Sequence, residues 1–297
     1  MELIAPANGI ELTYESFGDS ADPTMLMIMG LGVQMIGWDA EFCEFLAGRG
    51  FRVVRFDNRD VGRSTKIEGG PRPDVMAVAM GDTSSASYTL EEMSEDCAGL
   101  LDHLGVEAAH VVGASQGGMI AQTLAIRHPG RVMSLVSIMS TTGDRAVGQP
   151  HPEAMPALLT TPPADRDGYA EQVVLAFRAI GSPGFEADEE RLRQRARESF
   201  DRGYYPEGTA RQLVAILASG DRTEALRRLD VPTVVIHGTD DALIDVSGGT
   251  ATAAAIPGAE LELIEGMGHD LPRELWPRFV DLIVANAERA HSLDSIS

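Results

Sequence analysis

The sequence predicts an α/β protein: a mostly parallel central sheet with helices on both faces and a helical segment inserted before the last two strands. Three observations carry this. Strand and helix patterns alternate up to about residue 141 and again from about residue 227, which implies parallel strands joined by helical crossovers. Between 142 and 226 the alternation stops, and the chain turns rich in Pro, Ala, Arg and Glu. Finally, the apolar run His110-Val111-Val112 enters Gly113-Ala114-Ser115-Gln116-Gly117 and leaves through Met119-Ile120-Ala121-Gln122-Thr123-Leu124. That is a strand, a sharp turn carrying a serine, and a helix.

Taken in order, Ile10 to Phe17 alternates as a half-buried strand does, and is expected to form a hairpin with the first few residues. Thr24 to Met29 reads as a continuously buried strand that stops at Gly30-Leu31-Gly32. Asp39 to Arg49 is helical, Phe51 to Phe56 is the next strand, and Asp57 to Tyr88 reads as irregular. Thr89 and Glu92 then form a capping box, with Tyr88 and Met93 placed as a hydrophobic staple. Leu90, Met93, Cys97, Leu100, Leu101 and Leu104 follow at three- and four-residue spacing, giving one buried helix face. After the serine turn come the strand Val132 to Met139 and helical patches at 170–180, 189–200 and 209–218. The chain closes with the strand Thr233 to His237, a helix near 247–255, the strand Glu260 to Ile264 and a helix after Pro272. The expected organisation is a core of 1–141 and 227–297, with 142–226 as a helical lid over the C-terminal strand edge, where α/β crevices lie.

Composition is that of an ordinary globular protein: 297 residues, 44% hydrophobic and 23% charged. The net charge of −21 argues against nucleic acid or an anionic membrane as a partner, because both require basic surface. Cys43 and Cys97 fall within amphipathic helices, so buried, reduced thiols and a cytoplasmic setting are expected. Met1 to Pro6 carries neither a basic segment nor a long apolar one, and no run approaches the roughly 18 apolar residues of a membrane span.

The glycines at 113 and 117 point to a close strand–helix approach that holds Ser115 strained, with its hydroxyl exposed above the sheet. A serine hydroxyl is a weak nucleophile, and needs a base in hydrogen-bond reach and a third group to orient that base. Both should come from loops after later strands. Strand 233–237 ends in Gly238-Thr239-Asp240-Asp241, and strand 260–264 in Glu265-Gly266-Met267-Gly268-His269. Of the seven histidines only His269 and His291 follow the acidic turn. His291 reads as part of a polar C-terminal tail, so His269 is the candidate base. Asp240 and Asp241 both suit the third role, one orienting the base and the other capping the turn.

The order serine, acid, histidine resembles that of the α/β-hydrolase superfamily, and the resemblance runs from about residue 5 to 285. It implies about eight strands. In many members the acid stands three residues after the glycine of an H-G-x-x-D turn, which selects Asp241. Asp57-Asn58-Arg59-Asp60-Val61-Gly62-Arg63-Ser64 looks like the family's D-x-R-G-x-G-x-S loop, with Asp60 where glycine is usual, and reads as scaffold. Within the superfamily, Met29-Gly30, Gly37-Trp38, Gly62-Arg63-Ser64 and Gly266-Met267-Gly268-His269 are most similar to aclacinomycin methylesterases. The resemblance implies a serine carboxylesterase with Ser115 as nucleophile, His269 as base and Asp241 as orienter. It also implies an oxyanion hole made by the Leu31 and Gln116 backbone N–H groups. No metal or organic cofactor is expected, and the partner is a small-molecule ester. Met35, Trp38, Phe177 and Tyr204 are candidate substrate contacts. Thioester or lactone hydrolysis, perhydrolysis as in haloperoxidase-like members, and slow-turnover ligand binding are the alternatives. Haloalkane dehalogenase and epoxide hydrolase chemistry is disfavoured, because those relatives carry Asp in place of Ser115.

Overall fold

A computed structural model describes residues 1–294, with side chains up to Ala290. The described residues form eight strands: β1 (Leu3–Ala7), β2 (Ile10–Phe17), β3 (Thr24–Ile28), β4 (Arg52–Phe56), β5 (Ala109–Ala114), β6 (Val132–Ile138), β7 (Thr233–Gly238) and β8 (Glu260–Ile264). They lie in one sheet in the order β1-β2-β4-β3-β5-β6-β7-β8. β1 and β2 form the expected antiparallel hairpin, β2 runs antiparallel to β4, and β4 through β8 are mutually parallel.

The helices are α1 (Ala40–Ala47), α2 (Val75–Ala79), α3 (Leu90–His103), α4 (Gln116–Arg127), α5 (Met155–Leu159), α6 (Arg166–Ile180), α7 (Glu189–Gly203), α8 (Pro206–Ser219), α9 (Thr223–Leu226), α10 (Ser247–Ala255) and α11 (Trp276–Asp294). Successive strand residues point to opposite faces, and both faces of β3 to β7 are buried, which is why those strands read as largely apolar runs. Leu26, Ile28, Val54 and Val111 pack with Leu90, Met93, Leu100, Ile120 and Leu124 of α3 and α4. Met25, Met27, Val53 and Val112 pack with Phe42 and Leu46 of α1 and Phe279 and Ile283 of α11 on the other side. Both cysteines are buried and unpaired. Burial pushes the Cys43 thiol up to about 12 and Cys97 well above its ordinary value, so neither carries a thiolate near neutrality.

The Thr89–Glu92 capping box is present. Two helical turns, α2 and 83–85, interrupt the stretch expected to be irregular. The Asp74 and Asp82 side chains cap them, and five- and three-residue elements are too short to show a period. The patches at 170, 189 and 209 begin earlier or end later than the apolar pattern suggests. Asp165 caps α6, Pro206 occupies the first turn of α8, and the polar end of α7 runs to Gly203. His291, expected in a tail, belongs by its backbone to α11; its side chain lies outside the described residues. No helix among the described residues is long and apolar enough to cross a membrane.

Candidate active site

Helices α5 to α9 occupy the chain between β6 and β7. Their loops and helix faces meet the loops that follow the parallel strands. At that edge the β5–α4 junction brings two backbones together as the glycine spacing predicted. A Cβ on Gly113 would lie 2.1 Å from the Gly117 carbonyl oxygen, and one on Gly117 would lie 2.0 Å from that of Ile28. Ser115 sits at the corner with φ 55° and ψ −121°, a conformation that strains any residue with a side chain. Its N–H donates to Ile138 O at 2.9 Å, and its carbonyl accepts from Gly118 N–H and from the Ser140 hydroxyl. The elbow is thus held from β6 and from the first turn of α4. From Ala109 to Ala125, Ser115 alone is not buried.

β8 stands three strands from β5, about 14 Å away at ordinary strand spacing, so a histidine after β8 must reach back across the edge. Met267 to Asp270 makes that reach. His269 Nε2 lies 3.0 Å from Ser115 Oγ, and Nδ1 lies 2.8 Å from Asp241 Oδ2. The other Asp241 oxygen accepts from Leu243 and Ile244 N–H, both at 2.9 Å. Burial alone would raise the Asp241 carboxyl, but His269 and His237 and their hydrogen bonds outweigh it and hold the group well below the usual carboxylate range. An ionised carboxylate only accepts. Nδ1 of a neutral His269 therefore carries the hydrogen, and Nε2 presents a lone pair to the serine hydroxyl.

The structure separates the two aspartates. Asp240 Oδ2 accepts from Gly266 N–H at 3.0 Å and caps the histidine loop, while Asp241 faces the imidazole. His237, which carried no functional expectation, lies wholly buried beneath Asp241. Its Nε2 is 2.8 Å from Ile244 O and 3.4 Å from Asp241 Oδ2.

Leu31 follows β3 by three residues, next to Gly30, whose Cβ would come 3.0 Å from Ser115 Cβ. Gln116 is the first residue of α4, where the helix N-terminus adds positive potential. Among the described residues neither the Leu31 nor the Gln116 N–H has an acceptor. The Asp57–Ser64 loop braces this strand end: Asn58 Nδ2 donates to Met29 O at 2.9 Å, and Asp57 Oδ1 accepts Met35 N–H at 2.7 Å. Asp60 adopts φ 70° where glycine was expected, and its carboxylate accepts from Tyr88, Ile67 N–H and Arg211.

The four candidate substrate contacts differ in burial. Met35 and Trp38 have no accessible surface; Trp38 stacks on Phe42, which meets Trp276 edge-on. Phe177 and Tyr204 are partly buried in α6 and just after α7, where Tyr204 donates to Pro162 O and packs on Phe200 and Tyr169. Sequence reasoning missed Ile180, Ser182 and Gln212, which hold the site loops from the α5–α9 segment. Nothing in their local spacing marks them, since their partners lie 86 to 180 positions away.

The parallel sheet order, with a serine on a strand–helix elbow beside an imidazole and a carboxylate at its C-terminal edge, is the arrangement of an α/β hydrolase fold. The α/β-hydrolase fold family model matches residues 23–272, and the chain belongs to that family. It is 28% identical to rhodomycin D methylesterase of Streptomyces peucetius over 95% of this chain and 96% of that one. It is 25% identical to a non-heme haloperoxidase of Rhodococcus erythropolis over 91% and 93%. Among solved structures, the enol-lactonase of Burkholderia xenovorans superposes with a TM-score of 0.73 at 25% identity, covering 96% of this chain and 99% of that one.

Proposed function

We propose that this chain is a serine hydrolase of carboxylic esters, acting through an acyl-enzyme on Ser115. The observation that carries the reading is the in-line set Ser115 Oγ, His269 Nε2, His269 Nδ1 and Asp241 Oδ2, with separations of 3.0 Å and 2.8 Å. His269 takes the hydroxyl proton as Ser115 attacks the ester carbonyl, and Asp241 stabilises the resulting imidazolium. The tetrahedral oxyanion rests on the Leu31 and Gln116 N–H groups, whose lack of internal acceptors leaves them free for it. His269 then protonates the leaving alcohol, and a water activated by the same nitrogen releases the acid. Asp241 keeps its charge throughout the neutral range, as the orienting role requires.

Residues 142–226 act as a lid over a core of 1–141 and 227–297, with Phe177 and Tyr204 facing substrate. Methyl or other small-alcohol esters of hydrophobic or polycyclic acids are the substrate class, a reading supported by similarity to a protein named a rhodomycin D methylesterase. Lactone hydrolysis or perhydrolysis on the same atoms is the second reading, favoured by the enol-lactonase and haloperoxidase relatives.

The test is Ser115→Ala, assayed on p-nitrophenyl esters and on methyl esters of polycyclic acids, with fluorophosphonate labelling in parallel. Turnover should fall by at least about 10⁴-fold and labelling should vanish while the fold persists. Activity near that of the wild type in this variant rules out the mechanism. Lactone or peracid turnover exceeding ester turnover in the wild type selects the second reading.

A further inference from the structure

Helix α8 lays one face on two site loops at once. Gly208 meets Asp60, Thr209 meets Gly32, Arg211 binds Asp60, and Gln212 uses both ends of its amide. Gln212 Oε1 accepts Gly32 N–H at 2.8 Å, and Nε2 donates to Arg59 O at 2.8 Å. Its backbone carbonyl also takes the Gln116 side-chain amide at 3.4 Å. The side chain is wholly buried, so water does not substitute for these bonds.

Peptide planarity gives this contact its consequence. The Leu31 N–H belongs to the same rigid plane as the Gly30 carbonyl, and that carbonyl accepts Val33 N–H at 3.2 Å. The next plane, Leu31–Gly32, carries the N–H that Gln212 holds. Two consecutive planes are therefore held, the first, which carries the Leu31 N–H, from within the loop and the second, which adjoins it at the Leu31 Cα, from α8; a swing of the second would turn the first with it. Gly32 itself adopts φ +67°, a conformation open to glycine's wide range, so the loop alone does not lock the Leu31 N–H direction.

We infer that Gln212 is a positioning residue for the oxyanion hole, so that docking of α8 on the core governs how well the site stabilises a tetrahedral oxyanion. This rests on the serine-hydrolase reading above. The effect belongs to the transition state: the carbonyl oxygen gains charge only as Ser115 adds, so a misaimed Leu31 N–H lowers kcat and leaves ground-state binding nearly unchanged.

The experiment compares Gln212→Met, of similar shape without the amide, with Gln212→Glu, whose carboxyl is held neutral by burial and so keeps an oxygen acceptor for Gly32 N–H and an O–H donor for Arg59 O. Steady-state kinetics on a p-nitrophenyl ester are paired with inhibition by an aryl trifluoromethyl ketone, which becomes a tetrahedral oxyanion only when bound, and with melting midpoints. Gln212→Met should lose about 10- to 100-fold in kcat, with KM within about twofold. It should lose ketone affinity in the same proportion, and Gln212→Glu should recover most of both. Wild-type kcat in Gln212→Met, a loss confined to KM, or a loss in both variants that tracks the melting midpoint overturns the inference. If Gln212→Met does not fold, a large kcat loss in a folded Gln212→Glu with unchanged midpoint overturns it instead. Ser115→Ala, run alongside, separates the two readings: activity surviving there removes the serine mechanism itself, whereas an inert Ser115→Ala beside a fully active Gln212→Met removes only the role of Gln212.

Discussion

The helical segment between β6 and β7 meets the sheet edge along two seams made of different material. The seam at the histidine loop is largely main chain. Ile180 O accepts His269 N–H at 2.7 Å, and Gly184 N–H donates to Gly266 O at 2.9 Å. A Cβ on Gly268 would come 2.3 Å from Gly181 O. Ser182 completes the seam, accepting from Gly268 N–H and donating to Asp270. The seam at the oxyanion side is made of long buried side chains: Arg202 on Asp57 and Glu2, Arg211 on Asp60, and Gln212 on Gly32 and Arg59. Backbone packed on backbone leaves little slack, so the first seam fixes where the His269 main chain stands. Buried ion pairs depend on both partners remaining, so the second seam stakes stability on each pair.

That contrast orders the expected effects. The largest is at the main-chain seam. Gly268→Val drives a side chain into the Gly181 carbonyl and should displace His269 from Ser115, lowering kcat on the order of 10³-fold with a much smaller change in melting midpoint. A kcat within tenfold of wild type would show that the seam does not position the imidazole.

At the side-chain seam the larger effect falls on stability. Burial pulls the Arg211 guanidinium down, but its bonds to Asp60 and Glu207 outweigh that and raise it. Arg211→Leu leaves Asp60, itself wholly buried, without its cationic partner, and should lower the unfolding free energy by about 3 kcal/mol. Adding Asp60→Gly removes the charge and relaxes the φ of 70°, so urea denaturation of the double variant should recover most of the loss. Additive losses in the double variant would contradict the paired-charge account.

The smallest effect is one of pH. The folded Asp241 carboxyl lies below its unfolded value of about 3.9. Its charge therefore stabilises the fold above that value, and the contribution is lost as pH falls through the lower folded one. Asp241→Asn should reduce stability by about 2 kcal/mol at pH 7, and the gap to wild type should close as pH falls from about 5 toward about 2. A pH-independent gap in denaturation midpoints would assign the loss to packing.

Ser115 and its elbow were legible because their constraints are local. Strand, glycines, serine and helix lie between Ala109 and Arg127, and the approach that demands glycine at 113 is made within that stretch by Gly117, although Gly117 itself meets Ile28 of β3. His269 was legible by order, since few histidines follow the acidic turn. The choice between Asp240 and Asp241 was legible only through the family's H-G-x-x-D spacing, since adjacent carboxylates on one turn look alike; in the structure Asp241 faces the imidazole and Asp240 the Gly266 N–H. Trp38 read as a pocket wall because its distance from the oxyanion loop is short in sequence. In the structure it is buried and stacks on Phe42.

The sequence by itself determined the alternating α/β plan and the strained serine corner, which follow from periodicity and local backbone sterics, and the chain order of Ser115, Asp241 and His269. The tertiary structure alone decided that His237 lies beneath Asp241, that Asp60 at a glycine position answers Arg211 from 151 residues away, and that Gln212 reaches Gly32 across 180. The last two pairings depend on where α6, α7 and α8 dock on the sheet edge. Docking is fixed by the sum of buried contacts over the whole segment, a quantity that no local window of residues carries.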